Sequence, residues 1–95
     1  MDFEGDYTRE LARLGLRAVQ GNADKPALCR AAVTALDNPP ADAILARIAE
    51  KLCDAAINYA YFNGPISRLQ LVLTGYFMAS NAIEADEIVN RLRRS

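Results

Sequence analysis

Histidine is absent from this 95-residue chain. With it go the commonest general base and the commonest zinc ligand. Cysteine occurs only at Cys29 and Cys53, 24 positions apart, which rules out a four-thiolate site. No glycine-rich phosphate cradle and no Gly-x-Ser-x-Gly elbow is present. An excess of one charge is missing too. Eleven basic against twelve acidic residues leave a net charge of −1, so no overall basic field exists to hold nucleic acid or an anionic membrane. The most apolar stretch, Leu69 to Ala79, is about half the ~20 residues that span a bilayer. The first ten residues include four acids and no apolar run, which is unlike a secretory leader. Sustained period-two alternation between hairpin turns is also lacking.

These absences lead to an expectation of a non-enzymatic protein with no cofactor and no metal, away from the membrane and in the cytoplasm. There the two isolated thiols stay reduced and behave as small buried hydrophobes; a single disulfide is the alternative. At 52% hydrophobic and 24% charged, the composition is that of a folded domain, because a disordered chain is poorer in apolar residues. Residues 1–95 fit one small domain with one core.

What is present is helical periodicity, five times over. The first helix is expected from Tyr7 to Gln20, with Asp6 as N-cap and Gly21 as the left-handed stop. Its apolar face reads Tyr7, Leu11, Leu14 and Ala18, widened by Leu16 and Val19. A second helix starts at Asp24 with Pro26 in its first turn. It faces inward through Leu28, Ala32, Ala35 and Leu36 and ends at Asn38-Pro39-Pro40. The third and longest, Ala41 to Phe62, carries a seam of Ala41, Leu45, Ile48, Leu52, Ala55, Tyr59 and Phe62 at alternating spacings of 4 and 3. Ile44, Cys53 and Ile57 flank it, and Asn63-Gly64-Pro65 stops it. The fourth, Ile66 to Ala79, is apolar nearly all round, so it is either central or covered by a partner. The fifth, Ala82 to about Arg93, follows Asn81, which with Glu84 three residues on resembles a capping box, and buries Ala85, Ile88, Val89 and Leu92. The fold class is therefore all-α, about five helices in antiparallel hairpins, as a small bundle or a repeat-like array.

Three polar features have a functional and a structural reading. Glu50 with Asp54, and Glu84 with Glu87, share helix faces. Carboxylate bundle sites usually add an inward Glu-x-x-His, which this chain cannot supply, so they read as solvated charge. Arg9, Arg13 and Arg17 form an i, i+4, i+8 ridge. It is either the polar face of an amphipathic helix or a short basic stripe, and Asp6 and Glu10 nearby favour the first. The joint between helices four and five has a helix-turn-helix outline. Its second helix would open on Glu84, Asp86 and Glu87 and present carboxylates to phosphates. Nucleic acid is disfavoured accordingly.

In the first two helices, Leu11, Leu14-Gly15, Ala18, Asn22, Ala27-Leu28, Ala31 and Pro39 fall at the spacing of large residue, Leu-Gly, small residue, turn, Ala and closing Pro. This resembles a tetratricopeptide-type helical hairpin. A second set, Leu69, Val72-Leu73, Tyr76, Ser80, Ala85, Val89 and Leu92, follows the same outline with Leu73 in place of the glycine. The two sets are offset by 58 positions, not a multiple of the family's roughly 34-residue repeat, so the long third helix stands between them as an extra element. The resemblance implies a binding module that holds a peptide or helix of a partner in a groove. Small degenerate members include chaperones of bacterial type III secretion, which shield an aggregation-prone subunit.

The functional expectation is a protein–protein interaction module, adaptor or chaperone with an apolar groove lined by Tyr59, Tyr61, Phe62, Tyr76 and Phe77, since aromatic side chains dominate interface energetics. Tyr61 lies off the seam, so its ring is the one expected to face solvent. A homodimer pairing the third helices would cover the same surface. The alternative is a small homodimeric nucleic-acid-binding regulator using the helix-turn-helix-like element and the arginine ridge.

Overall fold

The computed structural model describes residues 3–80, with side chains from residue 6 onward. Four α-helices follow one another: α1 (Phe3–Val19), α2 (Lys25–Asp37), α3 (Ala43–Tyr61) and α4 (Ile66–Ala79). No strand occurs among the described residues. The expected fifth helix, Ala82 to Arg93, lies outside them.

The helix ends show which sequence signals act. α1 starts earlier than Tyr7, and Asp6 is inside it rather than capping it. One turn on, Asp6 accepts instead from Arg9, whose Nη1 is 3.3 Å away. Acidic side chains near a helix start are favoured by its dipole in either arrangement. α1 ends at Gly21 with φ +95. The Asn22 amide donates to the Arg17 carbonyl at 2.8 Å and the Gly21 amide to Ala18 at 3.1 Å, the two bonds of a Schellman stop. Asp24 caps α2 by accepting from the Ala27 amide.

α3 begins later than expected. Its cap is Asp42, whose carboxylate accepts from the Ile44 and Leu45 amides at 2.9 Å each. Ala41 therefore precedes the helix instead of opening its seam. At the other end Asn63 takes the left-handed conformation (φ 56), one of the few non-glycine residues to do so readily. The Gly64 amide then reaches back to the Asn58 carbonyl at 2.7 Å.

Each helix packs on the next, and α4 returns to pack on α1, so the described helices form a bundle around one core. Short connections make successive neighbours antiparallel hairpins. The core takes leucines from every helix: Leu11, Leu28, Leu52, Leu69 and Leu73 are fully buried. Each such side chain contributes about 1.5–3 kcal/mol by leaving water. Between them lie Ala12, Ala32, Ala35, Ala49, Ala55 and Ala56, whose small side chains let the helix backbones come close.

Most of the expected inward faces are inside, Leu11, Ala18, Leu28, Ala32, Ala35, Leu52 and Ala55 among them, and the differences lie at their edges. α1 turns Thr8, Leu11, Ala12 and Gly15 inward, while Tyr7 is largely exposed. α2 buries Leu28, Ala32 and Ala35 but leaves Leu36 outside. In α3 the middle of the seam is inside, whereas Phe62 at its end is in solvent. Cys53 is buried and Cys29 half-buried, and both thiols are free. No helix among the described residues is long and apolar enough to cross a membrane.

Candidate functional site

The five aromatic side chains expected to line one groove are divided by the fold. Tyr76 and Phe77 project from α4 into the core, 5% and 8% exposed, their rings edge-to-face at 5.6 Å. Among the described residues they are part of the core and line neither of the hollows described below. Burial raises the Tyr76 hydroxyl pKa, with the Arg9 charge acting in the opposite direction. Tyr59 is half-buried against the core, with the Lys25 ammonium 5.1 Å from its ring centre, a cation–π contact that ties α2 to the end of α3.

Tyr61 and Phe62 are the exposed members, 72% and 66% accessible. Their rings meet edge-to-face at 4.9 Å. They sit at the last residue and the cap of α3, where the helix has run past the bundle's cover. Two adjacent large rings outside the core form an apolar step at this end of the molecule.

A separate concavity of about 560 Å³ opens between α2 and α3. Its floor is made by Ala35, Ala43, Ala46, Ala49 and Cys53. Leu36 and Pro39 form the α2 side, and Arg47 and Glu50 stand on the rim. A shallower hollow shares Leu36 and Glu50 and continues past Lys51 and Asp54 to Ile57. Together they make a trough along α3. The trough exists because alanines occupy the positions where larger side chains would fill the angle between two helices. The Ala-rich spacing of 43, 46 and 49, with Ala35 before it, is the only sequence signal for it. Aromatic-led reasoning missed that signal.

The trough is lined mainly by small and apolar side chains, with Arg47 and Glu50 as its charged members. Burial, first of all, pushes the Cys53 thiol up from its ordinary 9.0 to about 11, and the nearby Glu50 charge adds to the rise against a backbone hydrogen bond. A thiol held protonated at neutral pH is a poor nucleophile and a poor metal ligand. Asp54 of the Glu50/Asp54 pair is engaged by the Arg68 guanidinium at 3.0 Å, linking α3 to α4. Among the described residues, no group of three or more His, Cys, Asp or Glu side chains is placed to hold a metal ion. The Glu84/Glu87 pair lies outside the described residues.

On the arginine ridge, Arg9 pairs with Asp6 at 3.3 Å and Arg13 with Glu10 at 3.7 Å. Both pairs are exposed, and each contributes little to stability. They do offset the ridge's positive field. Arg17 has no carboxylate partner among the described residues and lies in the last turn of α1, where the helix dipole favours a cation. The acidic start of the helix-turn-helix outline, Glu84 to Glu87, and the arginines Arg91, Arg93 and Arg94 lie outside the described residues.

Compared with models of known protein families, with curated proteins and with solved structures, the chain matches none.

Proposed function

We propose that this chain is a small protein–protein interaction module, an adaptor or chaperone-like subunit, that seats a helical or peptide segment of a partner in the α2–α3 trough. The observation that carries this reading is the trough itself. Its alanines and Leu36 offer an apolar bed, with Arg47 and Glu50 beside it to orient a segment. Tyr61 and Phe62, exposed on the same helix, supply rigid aromatic area of the kind that anchors interfaces. The protonated Cys53 thiol and the lack of histidine favour binding over catalysis. Two free thiols suit the reducing cytoplasm. The tetratricopeptide-like spacing of α1 and α2 belongs to the same reading, as does a chaperone role toward an aggregation-prone subunit. The nucleic-acid alternative gains no support from an arginine ridge whose first two members are already paired.

The test is affinity capture from native cells with three baits: wild type, Leu36→Glu and Tyr61→Ala. Both substituted residues are exposed, so both variants should keep the wild-type thermal midpoint. One stoichiometric partner held by the wild type and reduced at least about tenfold by Leu36→Glu is expected, with a smaller loss for Tyr61→Ala. Equal recovery with all three baits would sink the trough as the binding site. If Tyr61→Ala fails to fold, Tyr61 belongs to the core and drops out of the site.

A further inference from the structure

Helix α3 carries a projection at one end and a hollow at the other. At its end stand the exposed rings of Tyr61 and Phe62. At its start Pro39, Ala43 and Ala46 line the larger hollow of the trough. Both lie on one side of the helix. Ala43, Arg47, Glu50, Asp54, Ile57 and Tyr61 recur at spacings of 4, 3, 4, 3 and 4, which is a single helix face. Between the two ends that side carries charges of alternating sign, Arg47, Glu50, Lys51 and Asp54. The first three are exposed and have no ion-pair partner among the described residues. Asp54 gives its Oδ2 to Arg68 at 3.0 Å, and the other oxygen of a carboxylate can accept from a second guanidinium.

We infer that the trough is filled by a second copy of the chain, α3 packed antiparallel on α3 about a two-fold axis level with Glu50 and Lys51. This rests on the reading of the trough as a binding surface and names its occupant. Two unrelated pairings fix the same axis. The first is charge. Arg47 lies three residues before Glu50 and Asp54 three after Lys51, so the axis sets each Arg47 against the other copy's Asp54, twice over. Glu50 and Lys51 of the two copies meet at the centre as two charges of each sign. Moving the axis to Leu52 would instead set Glu50 on Asp54, like on like. The second is shape. The axis carries Tyr61 past the start of the other copy's α3. Helical side chains lean toward the N-terminal end of their helix, so the ring comes back over Pro39 and Ala43 and enters the hollow. Projection and hollow are unlike, and only antiparallel packing brings them together; parallel packing would put rings on rings. Each copy gives one projection and receives one, as an isologous contact requires.

The area is sufficient for a reversible dimer. The 19 residues of α3 make a strip about 28 Å long and roughly 11 Å wide. With the two rings added, each copy covers on the order of 600 Å². The total of about 1,200 Å² clears the roughly 1,000 Å² of a specific interface and stays below the standard size. Association therefore depends on concentration.

Sedimentation equilibrium of the full chain, from about 5 μM to about 500 μM, covers the affinity expected of an interface of this size. The average mass should rise from the monomer's 10.4 kDa toward twice that value. Arg47→Glu alone and Asp54→Lys alone each set like charges together and should weaken association at least about tenfold. An equimolar mixture of these two variants restores opposite charges at both pairs, and its association should return to within about threefold of wild type. Tyr61→Ala, which leaves the charges alone, should weaken association at least about fivefold; it carries the test should a charge variant fail to fold. A wild-type chain that stays monomeric at the highest concentration overturns the inference, whatever else fills the trough. So does a mixture that associates no better than its two components, or association that Tyr61→Ala leaves unchanged. None of these results decides whether the trough binds a different protein, which the capture with Leu36→Glu reads separately.

Discussion

Gly15 on α1 lies directly against Leu73 on α4: a Cβ built on the glycine would be 3.2 Å from both methyl carbons of the leucine. Leu73 is fully buried, so its methyl groups would have to shift within the packed core to admit a Cβ. The Gly-Leu contact is how α4 closes the bundle onto α1. In the repeat-like spacing these two residues hold equivalent places in separate hairpins; in the fold they touch.

Substitution at Gly15 should therefore act through Leu73. Gly15→Val is expected to destabilise the fold by about 1–3 kcal/mol, the usual range for overpacking, despite removing a helical glycine. In a Leu73→Ala background the same substitution should cost much less, because the methyl groups it strikes are gone. A double-mutant cycle by urea denaturation measures the coupling. Additive effects would show that the contact is not tight.

Gly64 is required for a different reason. Its φ is not the left-handed one; rather, a Cβ would lie 3.0 Å from the Asn58 carbonyl oxygen and 3.1 Å from its carbon. These are backbone atoms at the end of α3 and cannot swing aside. Gly64→Ala should cost about 1–3 kcal/mol and fray the last turn of α3, seen as faster exchange of the Phe62 amide and of the amide at position 64. The neighbouring Asn63→Gly should be neutral or slightly stabilising, since φ 56 suits glycine at least as well.

Thr8 is the one buried side-chain polar group without a hydrogen-bond partner among the described residues. Its hydroxyl is fully enclosed on the inward face of α1. Stranding such a group costs about 1–3 kcal/mol. Thr8→Val keeps the shape and removes the hydroxyl, so a gain of about 1 kcal/mol in unfolding free energy is expected. A loss would reveal a partner for the hydroxyl.

The Cys53 thiol fixes a pH dependence. Below about pH 8 it is protonated in both folded and unfolded chains and contributes no slope. Above the ordinary value of 9.0 the unfolded thiol ionises, while the folded one holds its proton to about 11. The unfolded state then binds fewer protons, so stability falls as pH rises through this window, by up to about 2 kcal/mol. Tyr76, raised by burial from 10.0, adds a loss of the same sign at the upper end. Cys53→Ala should flatten the fall between pH 9 and 11 even though it lowers stability at neutral pH. An unchanged slope would mean that the thiol ionises in the folded state as freely as in the unfolded one.

Much of the architecture is written locally. Gly21, Asp24, Pro26 and the Asn63-Gly64-Pro65 stop act where they stand in the chain, through backbone conformation and amide capping. Asp6 and Asp42 show the limit of such signals. Both are good caps, but only Asp42 caps a helix, because an acidic residue is equally at home in a first turn.

The sequence by itself determined that the chain is helical, roughly where its helices run, and which chemistries it lacks, because periodicity, caps and residue inventory are local properties. The middle of each inward face in the first three helices was legible too, since Leu11, Ala18, Leu28, Ala32, Ala35, Leu52 and Ala55 are buried as periodicity places them. The tertiary structure decided the edges of those faces, adding Ala12, Gly15, Ala49 and Ala56 and leaving Tyr7 and Phe62 exposed. Close approach of four short helices rewards small residues at the contacts and turns Leu36, Ile44, Leu71 and Met78 outward. The same preference moved the candidate site from the aromatic side chains to an alanine-floored trough. No single helix contains that trough, since it is the space left between two of them.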